Sequence, residues 1–151
     1  MSLSQGDKAP AFSLAASGGR TVSSAALQGK PYVLYFYPKA DTSGCTKEAQ
    51  AFEAARAQFA ARGVEIVGVS RDPVKALDKF AAKYGLAFPL TSDEGGALTE
   101  AYGVWVEKSM YGRKYMGIER STYLVGGDGV ILRAWPKVKI EGHAEDVLAA
   151  V

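Results

Sequence analysis

Hydrophobic residues are densest at Tyr32-Val33-Leu34-Tyr35-Phe36-Tyr37, six consecutive apolar or aromatic positions between Pro31 and Pro38. A run without polar alternation predicts a strand buried on both faces, and Pro38 ends it. Beyond Pro38 the period changes. Phe52, Ala55 and Phe59 recur at helical spacing, predicting a helix from about Ser43 to Arg62 that stops before Gly63. Val64-Glu65-Ile66-Val67-Gly68-Val69-Ser70 then reads as a second buried strand, so a right-handed β-α-β crossover is expected. Asp72-Pro73 caps and starts another helix, with Val74, Leu77, Phe80, Ala81 and Tyr84 on its inner stripe and Gly85 as its stop.

Around this unit the pattern is shorter in range. Residues 11–23, turning at Gly18-Gly19, predict a small β-hairpin over a sheet edge or end. Phe88-Pro89-Leu90-Thr91 is a short extended segment, and Gly95 to Tyr102 a short helix with Leu98, Ala101 and Tyr102 inward. Val106 to Gly117 has no clean period and reads as a long surface loop of the functional kind. Ser121 to Val125 and Val130 to Trp135 predict a hairpin joined by Gly126-Gly127-Asp128-Gly129, a turn and not a phosphate cradle, since no helix follows it directly. A last helix is expected over about Gly142 to Val151, with Val147, Leu148 and Val151 on one face. Helices alternating with buried strands give an α/β sandwich.

Length and charge narrow the field. The 151 residues suit one domain, 1–151, burying roughly 70% of its unfolded surface. With 18 basic and 16 acidic residues the net charge is only +2, and no basic run is interleaved with aromatics, so no nucleic-acid partner is implied. The first residues lack the apolar core of a signal peptide and no apolar run is long enough to cross a bilayer, so a cytoplasmic protein without a membrane partner is expected. One cysteine excludes an internal disulfide, and one cysteine with one histidine argues against a zinc site, so no metal is expected. His143 reads as an exposed or capping residue near the start of the last helix. Lys108, Arg113 and Lys114 read as a solvated basic cluster, with docking of an acidic partner surface as the rarer alternative; Trp105, Tyr111 and Tyr115 either pack over a site or offer an association surface.

The remaining signal is Cys45, in the first turn of the first helix. A lone cysteine is more often an inert filler than a nucleophile. A helix N-terminus following a proline-ended strand reverses that preference, because it activates sulfur and leaves it accessible. Thr42 is the natural N-cap; a cap side chain meets the N–H three residues on, which here is Cys45, so hydroxyl and sulfur are expected to face one small volume. A free thiol has a pKa near 8.5, and lowering one to about 6 takes roughly 3.4 kcal/mol of selective thiolate stabilisation. A helix terminus supplies roughly 0.3–1 kcal/mol, about 2 at best. A charge-assisted hydrogen bond of roughly 1.5–3 kcal/mol would close the gap, so the site calls for an arginine or lysine from elsewhere in the chain.

Pro38, Thr42 and Cys45 spell the P-x-x-x-T-x-x-C signature of the peroxiredoxins. Tyr35-Phe36-Tyr37-Pro38-Lys39, Gly44-Cys45-Thr46-Lys47-Glu48, Tyr102-Gly103-Val104-Trp105 and the stretch Met110 to Thr122 resemble the peroxiredoxin Q branch, also called bacterioferritin comigratory protein. The resemblance covers nearly the whole chain. It implies a thioredoxin-like fold, a central mixed sheet flanked by helices with an N-terminal β-hairpin. In that fold the first strand of the closing hairpin lies antiparallel beside the strand leading to the cysteine. Arg120, just before that strand, is then the best source of the missing cation, and the family's catalytic arginine falls on this position. The implied activity is thiol-dependent reduction of hydrogen peroxide and organic hydroperoxides through a Cys45 sulfenic acid, with no cofactor; Pro38 would shield the pocket and Thr42 would hydrogen-bond the attacked oxygen. Many relatives carry a resolving cysteine five residues after the first, where this chain has Gln50, and others carry it in the next helix, where Pro73 to Tyr84 has none. The chain therefore resembles the one-cysteine variant. A monomer is expected, served by an outside thiol: glutathione with or without glutaredoxin, or thioredoxin. Two other readings stay open. One is a redox sensor or holdase switched by Cys45 oxidation. The other is a thiol transferase, although such enzymes usually keep C-x-x-C or C-x-x-S and Cys45 is followed by Thr46-Lys47-Glu48.

Overall fold

The computed structural model describes residues 3–151. In chain order the strands are β1 (Ser13–Ala16), β2 (Arg20–Ser23), β3 (Tyr32–Phe36), β4 (Glu65–Ser70), β5 (Leu90–Ser92), β6 (Trp105–Met110), β7 (Arg113–Ile118), β8 (Ser121–Val125) and β9 (Ile131–Trp135). The helices are α1 (Ser43–Ala61), α2 (Val74–Tyr84), α3 (Ala97–Ala101) and α4 (His143–Ala149). Seven strands form one mixed sheet in the order β2-β1-β5-β4-β3-β8-β9. The β3–β4 and β4–β5 pairs are parallel and β3–β8 is antiparallel. The N-terminal hairpin extends this sheet beyond β5, through the pairing of Ala16 with Thr91.

The aromatic run becomes the strand its pattern predicts, buried at every position of β3. Alternation along it feeds two cores. Val33, Tyr35 and Tyr37 pack with Cys45, Ala49, Phe52 and Phe59 of α1, Leu77 and Phe80 of α2, and Val147 of α4. Tyr32, Leu34 and Phe36 pack on the other face with Leu98, Tyr102, Val104, Ile118 and Tyr123. Each such large side chain contributes about 1.5–3 kcal/mol on burial, so the strand that delivers the chain to Cys45 is held from both sides. Tyr35 stacks directly on Phe52, ring centroids 4.6 Å apart, locking β3 to the middle of α1.

Two expectations need correction here. Residues Val106 to Gly117 are not a loop: β6 and β7 pair antiparallel as a separate two-stranded sheet. Met110 and Arg113 flank its turn, where Tyr111 and Gly112 both take positive φ, 52° and 77°. Much of this ribbon is exposed on both faces, so the sequence carries no apolar–polar alternation to reveal it. Ala101 is exposed, while Leu98 and Tyr102 are buried as expected and Thr99 turns inward with them. Among the described residues no helix is long and apolar enough to cross a membrane.

Candidate active site

Antiparallel pairing of β3 with β8 sets Phe36 opposite Ser121, so Arg120 emerges at the end of β3 that leads through Pro38 to α1. Its carbonyl is fixed by the Val138 N–H at 2.8 Å. From there the guanidinium forks. Nη2 donates to Cys45 Sγ at 3.4 Å and Nη1 to Glu48 Oε1 at 2.6 Å. Arg120 thus sets a cation against the sulfur. Gly44 makes room for it: a Cβ there would lie 3.3 Å from Arg120 Nη2 and 3.0 Å from Ile140 Cδ1. The first turn of α1 closes with the Thr46 N–H on Thr42 O at 2.8 Å, and the amides of Ser43, Gly44 and Cys45 have no partner among the described residues. These N–H groups are the positive end of a 19-residue helix.

Cys45 and Thr42 depart from expectation. Thr42 occupies the N-cap with extended backbone, but its side chain makes no cap bond. Its hydroxyl donates to Lys39 O at 2.8 Å, because the Pro38–Thr42 turn, with Asp41 at φ 60°, brings that carbonyl within reach. Cys45 is not openly accessible either. It is 1% exposed, lying in the core formed with Ala49 and Phe52. Pro38, seven residues earlier, is half-buried and lines a surface cleft.

Glu48 was not anticipated. It lies one turn after Cys45 on the same helix face and is 2% exposed. Burial pushes its carboxyl up to about 7, while the Arg120 charge and hydrogen bond pull the other way. Glu48 Oε2 has no hydrogen-bond partner. The signal was an acidic residue within the buried stripe Cys45, Ala49, Phe52 and Phe59, a place where carboxylates sit only when paired.

The loop carrying the site is tied down by carboxylates. The Ala40 N–H and Ser70 hydroxyl both donate to Asp72 Oδ2, at 2.8 and 2.7 Å. Asp41 accepts from the Tyr84 hydroxyl at 2.7 Å and Lys83 at 3.0 Å.

His143 is neither exposed nor a cap. It is 5% exposed, with Nε2 2.8 Å from Thr122 Oγ1, edge-on to Phe52 and Trp135. Burial lowers its pKa to about 4, which leaves the ring neutral at pH 7. The basic cluster also separates. Lys108 turns in to donate to Ile118 O at 2.5 Å, Lys114 pairs loosely with Glu107 at 3.8 Å, and Arg113 lies exposed near the ribbon turn. Trp105 carries the Arg71 guanidinium 3.4 Å above its ring, whereas Tyr111 is fully exposed. Gln50 lies exposed on α1.

A thioredoxin-like sheet that delivers a cysteine to a helix N-terminus under an arginine defines a peroxiredoxin. The chain belongs to the AhpC/TSA family, whose model matches residues 5–134, and within it to the Bcp or peroxiredoxin Q branch, as a one-cysteine member. Peroxiredoxin Bcp of Xanthomonas campestris is 50% identical over 138 residues, covering 91% of this chain and 86% of that protein. The solved Xanthomonas campestris peroxiredoxin Q superposes with a TM-score of 0.88 at 50% identity, over 92% of this chain and 88% of that one. A Xylella fastidiosa PrxQ cysteine-to-serine mutant gives 0.92 at 41% identity, over 97% and 93%.

Proposed function

We propose that residues 1–151 act as a single thioredoxin-like peroxiredoxin domain in which Cys45 is the peroxidatic nucleophile. The observation that carries this reading is the 3.4 Å hydrogen bond from Arg120 to Cys45 Sγ at the amide end of α1. Cation and amides stabilise the thiolate, and the same donors stabilise negative charge on a departing oxygen. Thr42 donates its only hydroxyl proton to Lys39 O, so its oxygen is left as an acceptor for the O–H of an incoming hydroperoxide. The Cys45 thiolate attacks the terminal peroxide oxygen. The O–O bond breaks, the sulfur is oxidised to the sulfenic acid, and hydroxide or alkoxide leaves and takes a proton from solvent. Pro38 shields the pocket. Structures of the Xanthomonas campestris bacterioferritin comigratory protein are described in terms of its alkyl peroxide reduction activity, which supports organic hydroperoxides as substrates beside hydrogen peroxide.

The chain has one cysteine, so the sulfenic acid is reduced by an outside thiol, from glutathione, glutaredoxin or thioredoxin. The protein works as a cytoplasmic monomer. Intact-mass measurement after one equivalent of peroxide tests the central claim. Cys45 gains one oxygen, a candidate thiol removes it, and the Cys45→Ser protein gains none. Peroxide turnover that persists in Cys45→Ser overturns the assignment, and oxidation without thiol-dependent turnover favours the sensor.

A further inference from the structure

Between Pro38 and the β6–β7 ribbon runs a cleft of about 350 Å³, inside the size range of small-molecule sites. Trp105, Tyr115 and Ile118 supply apolar wall, and Lys39, Arg71 and Lys108 supply charge. The one carboxylate at its edge, Asp72, is already engaged by Ala40 and Ser70. Arg71 lies flat on Trp105 and donates to Thr99 Oγ1 at 2.9 Å and Gly96 O at 3.3 Å, all neutral partners. Neither Arg71 nor Lys39 nor Lys108 forms an ion pair among the described residues. Three cations and one carboxylate thus line an amphipathic groove, which leaves an excess of positive charge and no ion pair within it. Chain connectivity leads from the groove to the sulfur: Ile118 in its wall precedes Arg120 by two residues, and Arg120 Nη2 donates to Cys45 Sγ at 3.4 Å.

Resting on Cys45 as the sulfur that becomes a sulfenic acid, we propose that this cleft is the subsite for the resolving thiol and that it selects a small thiol bearing carboxylates. The thiol's sulfur attacks Cys45 Sγ, forming a mixed disulfide while hydroxide leaves and takes the thiol proton as water. A second thiol cleaves that disulfide, returning Cys45 to its reduced form and releasing the oxidised thiol pair. Thiol carboxylates meet Lys39, Arg71 and Lys108 while the peptide part lies against Trp105 and Tyr115.

The test starts from Cys45 sulfenic acid made with one equivalent of hydrogen peroxide and compares its reduction by glutathione and by glutathione diethyl ester, which carries the same sulfur without the carboxylates. Glutathione reacts several-fold faster at low salt, and the advantage shrinks as salt rises. Lys39→Glu, an exposed position that spares the fold, lowers the glutathione-to-ester ratio by roughly fivefold, as does Arg71→Met. Equal rates for the two thiols, or a ratio that neither variant moves, overturns the proposal. A charge preference confined to carboxylated hydroperoxides in the oxidation step overturns it too, by assigning the cleft to the oxidant. If no sulfenic acid forms, the reading of Cys45 itself falls; if it forms and is reduced without regard to charge, only the cleft does.

Discussion

Arg71 lines the cleft beside Pro38, Arg120 reaches the sulfur at the start of α1, and the two guanidiniums differ in what they touch. Arg120 is 16% exposed in its side chain and forks between a sulfur and a buried carboxylate, so its charge is matched inside the protein. Arg71 is held by a hydroxyl, a carbonyl and an indole face, so its geometry is fixed while its charge is free. Each guanidinium lies against a glycine. A Cβ on Gly44 would stand 3.3 Å from Arg120, and one on Gly96, at φ 85°, only 2.7 Å from Arg71. Positioning is thus achieved in the same way twice, and the partners alone separate a cation whose charge is matched inside the fold from one without an ion pair.

The contrast breaks hardest at Arg120. Arg120→Met lowers kcat/KM for hydrogen peroxide by about 10²–10³, the usual effect of removing one transition-state donor. Alkylation of Cys45 by iodoacetamide, which reads thiolate alone, falls much less. Equal losses would reduce Arg120 to a setter of ionisation. The variant also removes the charge and hydrogen bond that hold the Glu48 pKa down, so Glu48 takes up a proton and is left a buried acid without its partner, at roughly 1–3 kcal/mol of stability. Arg120→Met with Glu48→Leu recovers most of that stability and none of the rate, as measured by urea unfolding and stopped-flow oxidation.

Glu48 sharpens the comparison through pH. Its folded pKa, about 7, lies above the ordinary carboxyl value of 4.5, so between those values the unfolded chain releases its proton first. Its contribution is full below pH 4.5 and is lost as pH rises to 7, by roughly 3 kcal/mol at about 1.36 per unit. His143 acts in the opposite sense. Lowered from 6.5 to about 4, its contribution is full above pH 6.5 and is lost as pH falls toward 4. The two slopes oppose each other in the shared window, so the wild-type stability curve is nearly flat there. Glu48→Gln leaves the histidine slope alone, and stability measured by denaturant then rises with pH from 4.5 to 6.5; an unchanged curve would mean that Glu48 stays ionised.

Arg120 was legible because strand pairing is a backbone property: once the aromatic run of β3 and the glycine-rich turn after β8 are recognised, the residue preceding β8 must arrive at the end of β3. Helix α2 and its left-handed stop at Gly85 were legible for a similar reason, since stripe and terminator are local. Glu48, His143 and Arg71 were not. Each acquires its role from residues distant in sequence: 72 positions for Glu48 with Arg120, 21 for His143 with Thr122, 28 for Arg71 with Thr99. Thr42 shows a finer failure. The N-cap position was legible, but the choice of Lys39 O over the Cys45 amide depends on the φ of Asp41, which no residue pattern encodes.

The smallest effect lies on the Arg71 side. Arg71→Lys keeps the charge but loses the planar stack on Trp105 and the fork to Thr99 and Gly96, lowering stability by about 1 kcal/mol, a Tm shift of roughly 2–4 °C. Gly96→Ala damages the same contact from the other side, since its Cβ would collide with the guanidinium, and it adds backbone strain at φ 85°. The strain persists in any background; the collision disappears once the guanidinium is gone. Gly96→Ala is therefore milder in Arg71→Lys than in wild type, with a coupling of about 1 kcal/mol in a double-mutant cycle. Strict additivity would mean that Arg71 moves aside without loss, and its fixed geometry over Trp105 would no longer distinguish it from any exposed cation.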